Sequence, residues 1–380
     1  MNRTAAHRWI LALLLALAVL AAACDADAGG DDEAADDEAP ADEGDEAEDA
    51  GLDDVPEDTI VLADSSWESL WIINAVAETI ISDGYGYDVH IAQVSTPIMQ
   101  QSILQGDVHI MTEMWCINFQ AWCAEHESAG DVVLTDSMFD EAVQGWYVPT
   151  YVIEGDPERD IEPVAPDLES VEDLLDHPDV FADPEDPERG VLYSGIQGWD
   201  VAEINQIRAS AYGLDEVYNA QIAGSPAAMD AAISGAFDRG EPIVFYYWAP
   251  SWVVGQYDVT LLDEPEWDSD CQDATEELVA AGQTDAGEDA ACAFPGGPIP
   301  SALYPGLEDI APDVVAFIEA MHIGDDPINE AQAHMETEGV EPEEAALWYF
   351  ANYDDWQDWI AEDDVLERVI DALEEQGVDA

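Results

Sequence analysis

The sequence predicts an α/β fold built as two halves with a cleft between them. Strand-like and helix-like segments alternate with short connections over residues 59–115, and the alternation resumes after a Pro- and Asp-rich stretch at 154–190. Tryptophans recur where the strands should end. In such folds a ligand sits near the carboxyl ends of the strands.

The first half opens with Thr59–Ala63, a continuous apolar run that reads as a buried strand. An apolar pattern through Trp67, Leu70, Ile73, Val76, Ile80 and Ile81 then predicts a helix, closed by Asp83-Gly84. Tyr87–Ile91 alternates as a second strand, Thr96-Pro97 opens a helix that ends at Gln105-Gly106-Asp107, and Val108–Met111 is a third strand. Strands separated by helices point to a parallel sheet.

In the second half, Gly190–Tyr193 is strand-like, Gly195–Trp199 a turn, Val201–Ala211 and Ala227–Phe237 helices, and Glu241–Tyr247 a strand. Residues 262–296, rich in acids and holding two cysteines, read as irregular. From Ile310 onward the pattern is mostly helical, and Trp348, Phe350, Trp356, Trp359 and Ile360 read as core. The expected division is 59–150 with 262–380 as one lobe and 151–261 as the other.

The densest aromatic segment is Phe245-Tyr246-Tyr247-Trp248-Ala249-Pro250-Ser251-Trp252. Proline favours a turn there, so the rings can line a pocket mouth. Aromatic faces attract cations that have no hydrogen to donate, above all quaternary ammonium groups.

The N-terminus carries Arg3, His7 and Arg8, then an apolar run Trp9–Leu20, then Ala21-Ala22-Ala23-Cys24. That order describes an export signal over 1–23 rather than a spanning helix. A cysteine directly after small residues predicts a lipid on Cys24 and an extracytoplasmic, membrane-anchored protein. Residues 24–58 are mostly Asp, Glu, Ala and Gly; they cannot bury enough surface to order themselves and read as a tether.

The formal net charge is -81, with no lysine and seven arginines. The tether holds only 18 of the 88 acids, so the folded part is itself strongly acidic. Such a surface makes nucleic acid and anionic membrane poor partners and suits a saline exterior, where salt screens self-repulsion. No cofactor or metal is expected: there is no calcium loop pattern, Cys-x-x-Cys or His-Glu-x-x-His. No Gly-x-Ser-x-Gly elbow occurs either, and with 88 acids a carboxylate pair carries no information about glycosidase chemistry, so catalysis is not expected. Cys116, Cys123, Cys271 and Cys292 favour two disulfides in an exported protein, with three pairings open. The nearest-neighbour choice would require a break in any helix between Cys116 and Cys123.

Five segments together resemble the substrate-binding component of ABC transporters for glycine betaine, proline betaine or choline. They are Ala63–Ser69, Gly106–Trp115, Gln144–Pro149, Gly195–Asp200 and Tyr246–Trp252, the last followed by Tyr257-Asp258-Val259 and Leu261–Pro265. The resemblance implies a two-lobed periplasmic-binding-protein fold of type II, a small quaternary ammonium ligand in the inter-lobe cleft, and a membrane permease as partner. It implies ligand-facing rings at Trp67, Trp115, Trp199 and Trp248, with Trp146 and Trp252 as secondary candidates that line or close the pocket. It also implies that main-chain amides near Gly198, Trp199 and Asp200 hold a ligand carboxylate. Some relatives carry a histidine after the proline of the fifth segment; here it is Ser251. The competing class is an acidic surface lipoprotein with a structural or choline-sensing role.

Overall fold

Strand β4 (Val133–Pro149), 17 residues long, is the member that both halves share. Its first part pairs antiparallel with β9 (Gly297–Leu303), through Val133 to Ala142. From Val143 onward it pairs instead with β7 (Phe245–Ala249), and at Tyr147–Pro149 also with β8 (Val259–Leu261). The hydrogen bonding therefore changes hands between Ala142 and Val143. The computed structural model describes residues 58–378 with Leu52, Val55 and Pro56; the expected signal, Cys24 and most of the tether lie outside the described residues.

On one side of β4 lie β9, β3 (Ile110–Met111), β1 (Thr59–Asp64) and β2 (Asp88–Gln93); on the other lie β7, β5 (Gly190–Ile196) and β6 (Tyr218–Ala223). β1 is parallel to β2 and β3, and β5 is parallel to β6 and β7. The sequence reading of a parallel sheet holds within each half and fails around β4 and β9, which run antiparallel to their neighbours.

Helix α1 (Glu68–Thr79) buries Leu70, Ile73 and Val76, the face its apolar spacing marks, and runs on into a widened turn at Ile80–Tyr85. Helix α2 (Thr96–Gln105) has proline in its first turn and stops at Gly106, where φ is 79°. A Cβ at Gly106 would also strike the Tyr304 ring at 2.8 Å, so both conformation and space call for glycine. A short turn at Cys116–Asn118 precedes α3 (Gln120–Ala129), and Phe119 between them leaves helical geometry. That break brings Cys116 and Cys123 within a Cα–Cα distance of 5.8 Å, and they are disulfide-bonded.

After α4 (Thr150–Glu154), the second half contributes α5 (Asp200–Ala211), α6 (Pro226–Arg239) and α7 (Trp252–Gln256). The segment read as irregular contains α8 (Ser269–Ala281), capped by Asp268, whose carboxylate accepts from the Asp270 and Cys271 amides. Asp270, Asp273 and Glu277 are exposed while Cys271, Gln272 and Thr275 are buried; the acid content masks this short buried stripe. Cys271 is bonded to Cys292, and Cys292 O accepts a hydrogen bond from the buried Arg208 of α5. Helix α8 also reaches the first half, where Glu276 accepts from the Gln120 and Ala121 amides.

Four longer C-terminal helices and one short one complete the first half: α9 (Leu307–Ile310), α10 (Pro312–Ala320), α11 (Asp325–Glu338), α12 (Pro342–Asn352) and α13 (Asp363–Glu375). Phe350, Trp356, Trp359 and Ile360 are buried there, as their spacing predicts. Trp348 is only half-buried and stacks on His334 at 5.1 Å. Among the described residues no helix is long and apolar enough to cross a membrane.

Candidate functional site: a ring of indoles closed by a glutamate

A cavity of about 490 Å³, counting the space at its mouth, opens where the two halves meet. Trp67, Trp115, Trp199 and Trp248 all line it. Each comes from a strand end or the loop after one: Trp67 follows β1, Trp115 follows β3, Trp199 follows β5, and Trp248 is the penultimate residue of β7. Four strands of a wound sheet thus aim four rings at one point.

The rings meet edge to face. Trp67 and Trp199 have centroids 6.4 Å apart at 75°, Trp199 and Trp248 are 5.2 Å apart at 77°, and Trp248 and Trp115 are 6.2 Å apart at 76°. This geometry suits the indole quadrupole and leaves ring faces for a guest. Tyr247 stacks flat on Trp248 at 4.5 Å and 8°, backing that ring from outside the cavity lining.

Glu113 closes the circuit. One carboxylate oxygen, Oε2, accepts from Trp67 Nε1 at 2.7 Å and from Trp115 Nε1 at 3.2 Å. The two ends of the indole chain are thereby joined through a single charged atom. Glu113 is fully buried, lines the cavity, and its Oε1 has no hydrogen-bond partner among the described residues. Ser69, its hydroxyl neighbour, makes no hydrogen bond of good geometry to it. Burial pushes the Glu113 carboxyl up to about 7, against the pull of the surrounding donors. Glu113 lies within one of the five resembling segments, but nothing in the sequence alone assigns it a role. The signal was present: an acid among Met111, Thr112 and Met114, at an apolar strand end.

Trp199 is held by the opposite half, since its Nε1 donates to Ser65 O at 2.9 Å. Gly198 does not line the cavity; its carbonyl accepts from the Thr96 amide at 3.0 Å, and its φ of 97° is one that glycine adopts freely. Asp200 does line the cavity, as the first residue of α5, and one oxygen accepts from Gln100 Nε2 at 3.2 Å. Burial, and then the nearby charge of Glu203, push Asp200 up to about 6. These three contacts all run from the β5–α5 turn to the first half.

Trp146 and Trp252 do not line the cavity. Trp146 pairs across β4–β7 with Tyr246, two cross-strand pairs on from Gln144 and Trp248, and is fully buried. Trp252 opens α7 and is buried beside Tyr257, its ring centroid 5.8 Å away. Ser251 turns inward, donating to Trp248 O. Besides Glu113, the lining residues unforeseen from sequence are Thr96, Met99, Met111, Asn118, Phe119 and Val201. Tyr246 belongs to the aromatic run, and its hydroxyl donates to Gln144 Oε1, which in turn anchors Asn118 through Gln144 Nε2. The Cys116–Cys123 bond braces the loop that carries Trp115, Asn118 and Phe119.

Comparison with known proteins follows the same lines. A trimethylamine N-oxide-binding protein of Pelagibacter ubique (strain HTCC1062) is 22% identical over 293 residues, 77% of this chain and 87% of the relative. An ABC-transporter choline-binding protein solved with choline superimposes with a TM-score of 0.63 at 18% identity, covering 84% of this chain and 100% of the other. Lactococcal OpuAC, solved closed with glycine betaine, gives 0.59 at 18% identity, covering 80% and 100%. These solved neighbours share the two-lobed fold. The model of the substrate-binding domain of ABC-type glycine betaine transport systems matches residues 58–352, and the chain belongs to that family.

Proposed function

We propose that this protein captures a quaternary ammonium solute outside the cytoplasmic membrane and presents it to an ABC permease. One observation carries the reading: four perpendicular indoles form a circuit that Glu113 closes. A methylated ammonium head has charge but no hydrogen to donate, so a cage of π faces holds it better than a ring of acceptors. Each ring contributes about 0.5–2 kcal/mol depending on desolvation. Four rings and one buried carboxylate can supply much of the roughly 8 kcal/mol that micromolar affinity requires.

Closure of the halves over the ligand follows from where the contacts lie. The Trp199–Ser65, Gly198–Thr96 and Asp200–Gln100 hydrogen bonds all cross the cleft beside the cavity, so a guest that draws Trp67 and Trp199 together favours their formation. The closed surface is what a permease would read. A lipid on Cys24 and the acidic segment after it would tether the protein at the membrane while leaving the halves free to close. The acidic surface suits a saline exterior, so stability should rise as salt goes from dilute to molar.

Calorimetric titration of purified protein with choline, glycine betaine, proline betaine and trimethylamine N-oxide tests the reading. At least one should bind saturably at a single site and be recovered unchanged. Absence of binding by all four, or turnover of any, would refute it.

A further inference from the structure

We infer that the cavity selects a quaternary ammonium of net positive charge, whose far end is a hydroxyl or nothing, and disfavours betaines, whose far end is a carboxylate. The inference rests on the function proposed above and narrows it. Both formally charged side chains on the cavity wall are acids, Glu113 and Asp200, and no described lining residue is Lys, Arg or His. Glu113 already commits Oε2 to two indoles, which leaves Oε1, buried and unpartnered, as negative charge available to a guest.

The place where a ligand carboxylate would look for amides is the start of α5. There the chain has put its own acid. Asp200 is the first helical residue, so its carboxylate takes up the favourable end of the helix dipole. Only one of its oxygens is engaged, by Gln100 Nε2, and it also faces Glu203 of its own helix. Of the amides at this turn, that of Trp199 already donates to Ile196 O at 3.4 Å and that of Ala202 to Trp199 O at 3.1 Å, while the Gly198 carbonyl accepts from the Thr96 amide across the cleft. A betaine carboxylate entering here would lie between like charges in a partly dry cavity, where repulsion is weakly screened. A choline hydroxyl can instead donate to Asp200 or to Glu113 Oε1. Selection then works by exclusion as much as by attraction.

The test titrates tetramethylammonium, choline and glycine betaine into the full chain and its Asp200→Asn variant, in molar sodium chloride at about pH 8, above the ordinary carboxylate range. Tetramethylammonium reads the indole cage alone. The expected result is that it binds and that choline binds at least about tenfold tighter than glycine betaine, with Asp200→Asn narrowing that gap several-fold. Tetramethylammonium binding alongside glycine betaine as tight as choline would overturn the inference and leave the cage standing. An unchanged gap in Asp200→Asn would overturn it too. If none of the three binds, the cage and the inference fall together. Should the variant not fold, the wild-type ratio decides.

Discussion

Two groups of tryptophans in this molecule look alike in sequence and do different work. Trp356 and Trp359 lie in the C-terminal helical region, packed on Phe350 at 5.2 Å and on Tyr349 at 6.3 Å. Trp356 Nε1 donates to the Tyr353 carbonyl, a partner a few residues away. The cavity tryptophans are also buried or half-buried, yet their neighbours along the circuit are other indoles. Trp67 and Trp115 donate to a carboxylate and Trp199 to a backbone carbonyl of the opposite half. Burial alone does not separate a core ring from a binding ring. What the ring's N–H and faces meet does.

The sharpest way to break this contrast is to remove one ring from each group. Trp356→Ala should cost about 3–5 kcal/mol of stability, as truncation of a fully buried aromatic does, while the folded fraction keeps its ligand affinity. Denaturant unfolding and calorimetry measure the two separately. A loss of affinity in that variant would dissolve the distinction.

The next effect concerns the acid that the cavity group alone carries. An unfolded glutamate holds its proton only below about 4.5, whereas Glu113 in the folded chain holds it up to about 7. Between those values the folded state binds more protons, so stability falls as pH rises through the window, by about 3 kcal/mol for this group. Glu264 and Asp230, each also pushed up to about 7 by burial, add in the same direction. The ligand-free protein should therefore melt higher at mildly acidic pH than at about pH 8. Glu113→Gln should flatten part of that slope.

Ligand affinity should move the opposite way. A cation beside Glu113 and Asp200 favours their charged forms, so below about pH 7 binding must displace protons. Tetramethylammonium affinity should then drop by up to about tenfold per pH unit and per titrating group, with proton release seen in buffers of differing ionisation heat. A pH-independent affinity between about pH 8 and 5 would show that neither acid faces the guest.

Smaller changes sharpen the account. Trp115→Ala should weaken tetramethylammonium about tenfold, the worth of one well-desolvated ring, at less cost to stability than Trp356→Ala because Trp115 is only half-buried. Trp199→Phe keeps an aromatic face, a smaller one, and removes the N–H that donates to Ser65 O. It should cost about 1 kcal/mol of affinity, seen as faster ligand release.

Much of this was legible in the chain before any coordinates. The β1–α1–β2–α2 alternation reads directly because each element has its own apolar period. The four cavity tryptophans stand out because each follows or ends an apolar strand. The family resemblance ranks Trp248 above Trp146, but local pattern does not separate them: both sit in aromatic strand segments, and the cross-strand register puts Trp146 two pairs further along the ladder. Glu113 was hidden for another reason. Its role depends on Trp67, 46 residues earlier, returning to share its oxygen. The double allegiance of β4 was equally invisible, since nothing local in Val133–Pro149 marks Ala142 as the point where partners change.

The central claim is that a methylated cation sits against indole faces. The proton resonance of tetramethylammonium, followed as it exchanges onto the protein, tests this most directly, because ring currents move methyls lying over aromatic faces upfield. The account predicts a marked upfield shift of the bound methyl signal that shrinks in Trp115→Ala and persists in the folded fraction of Trp356→Ala. A bound signal at the free-solution position would contradict it.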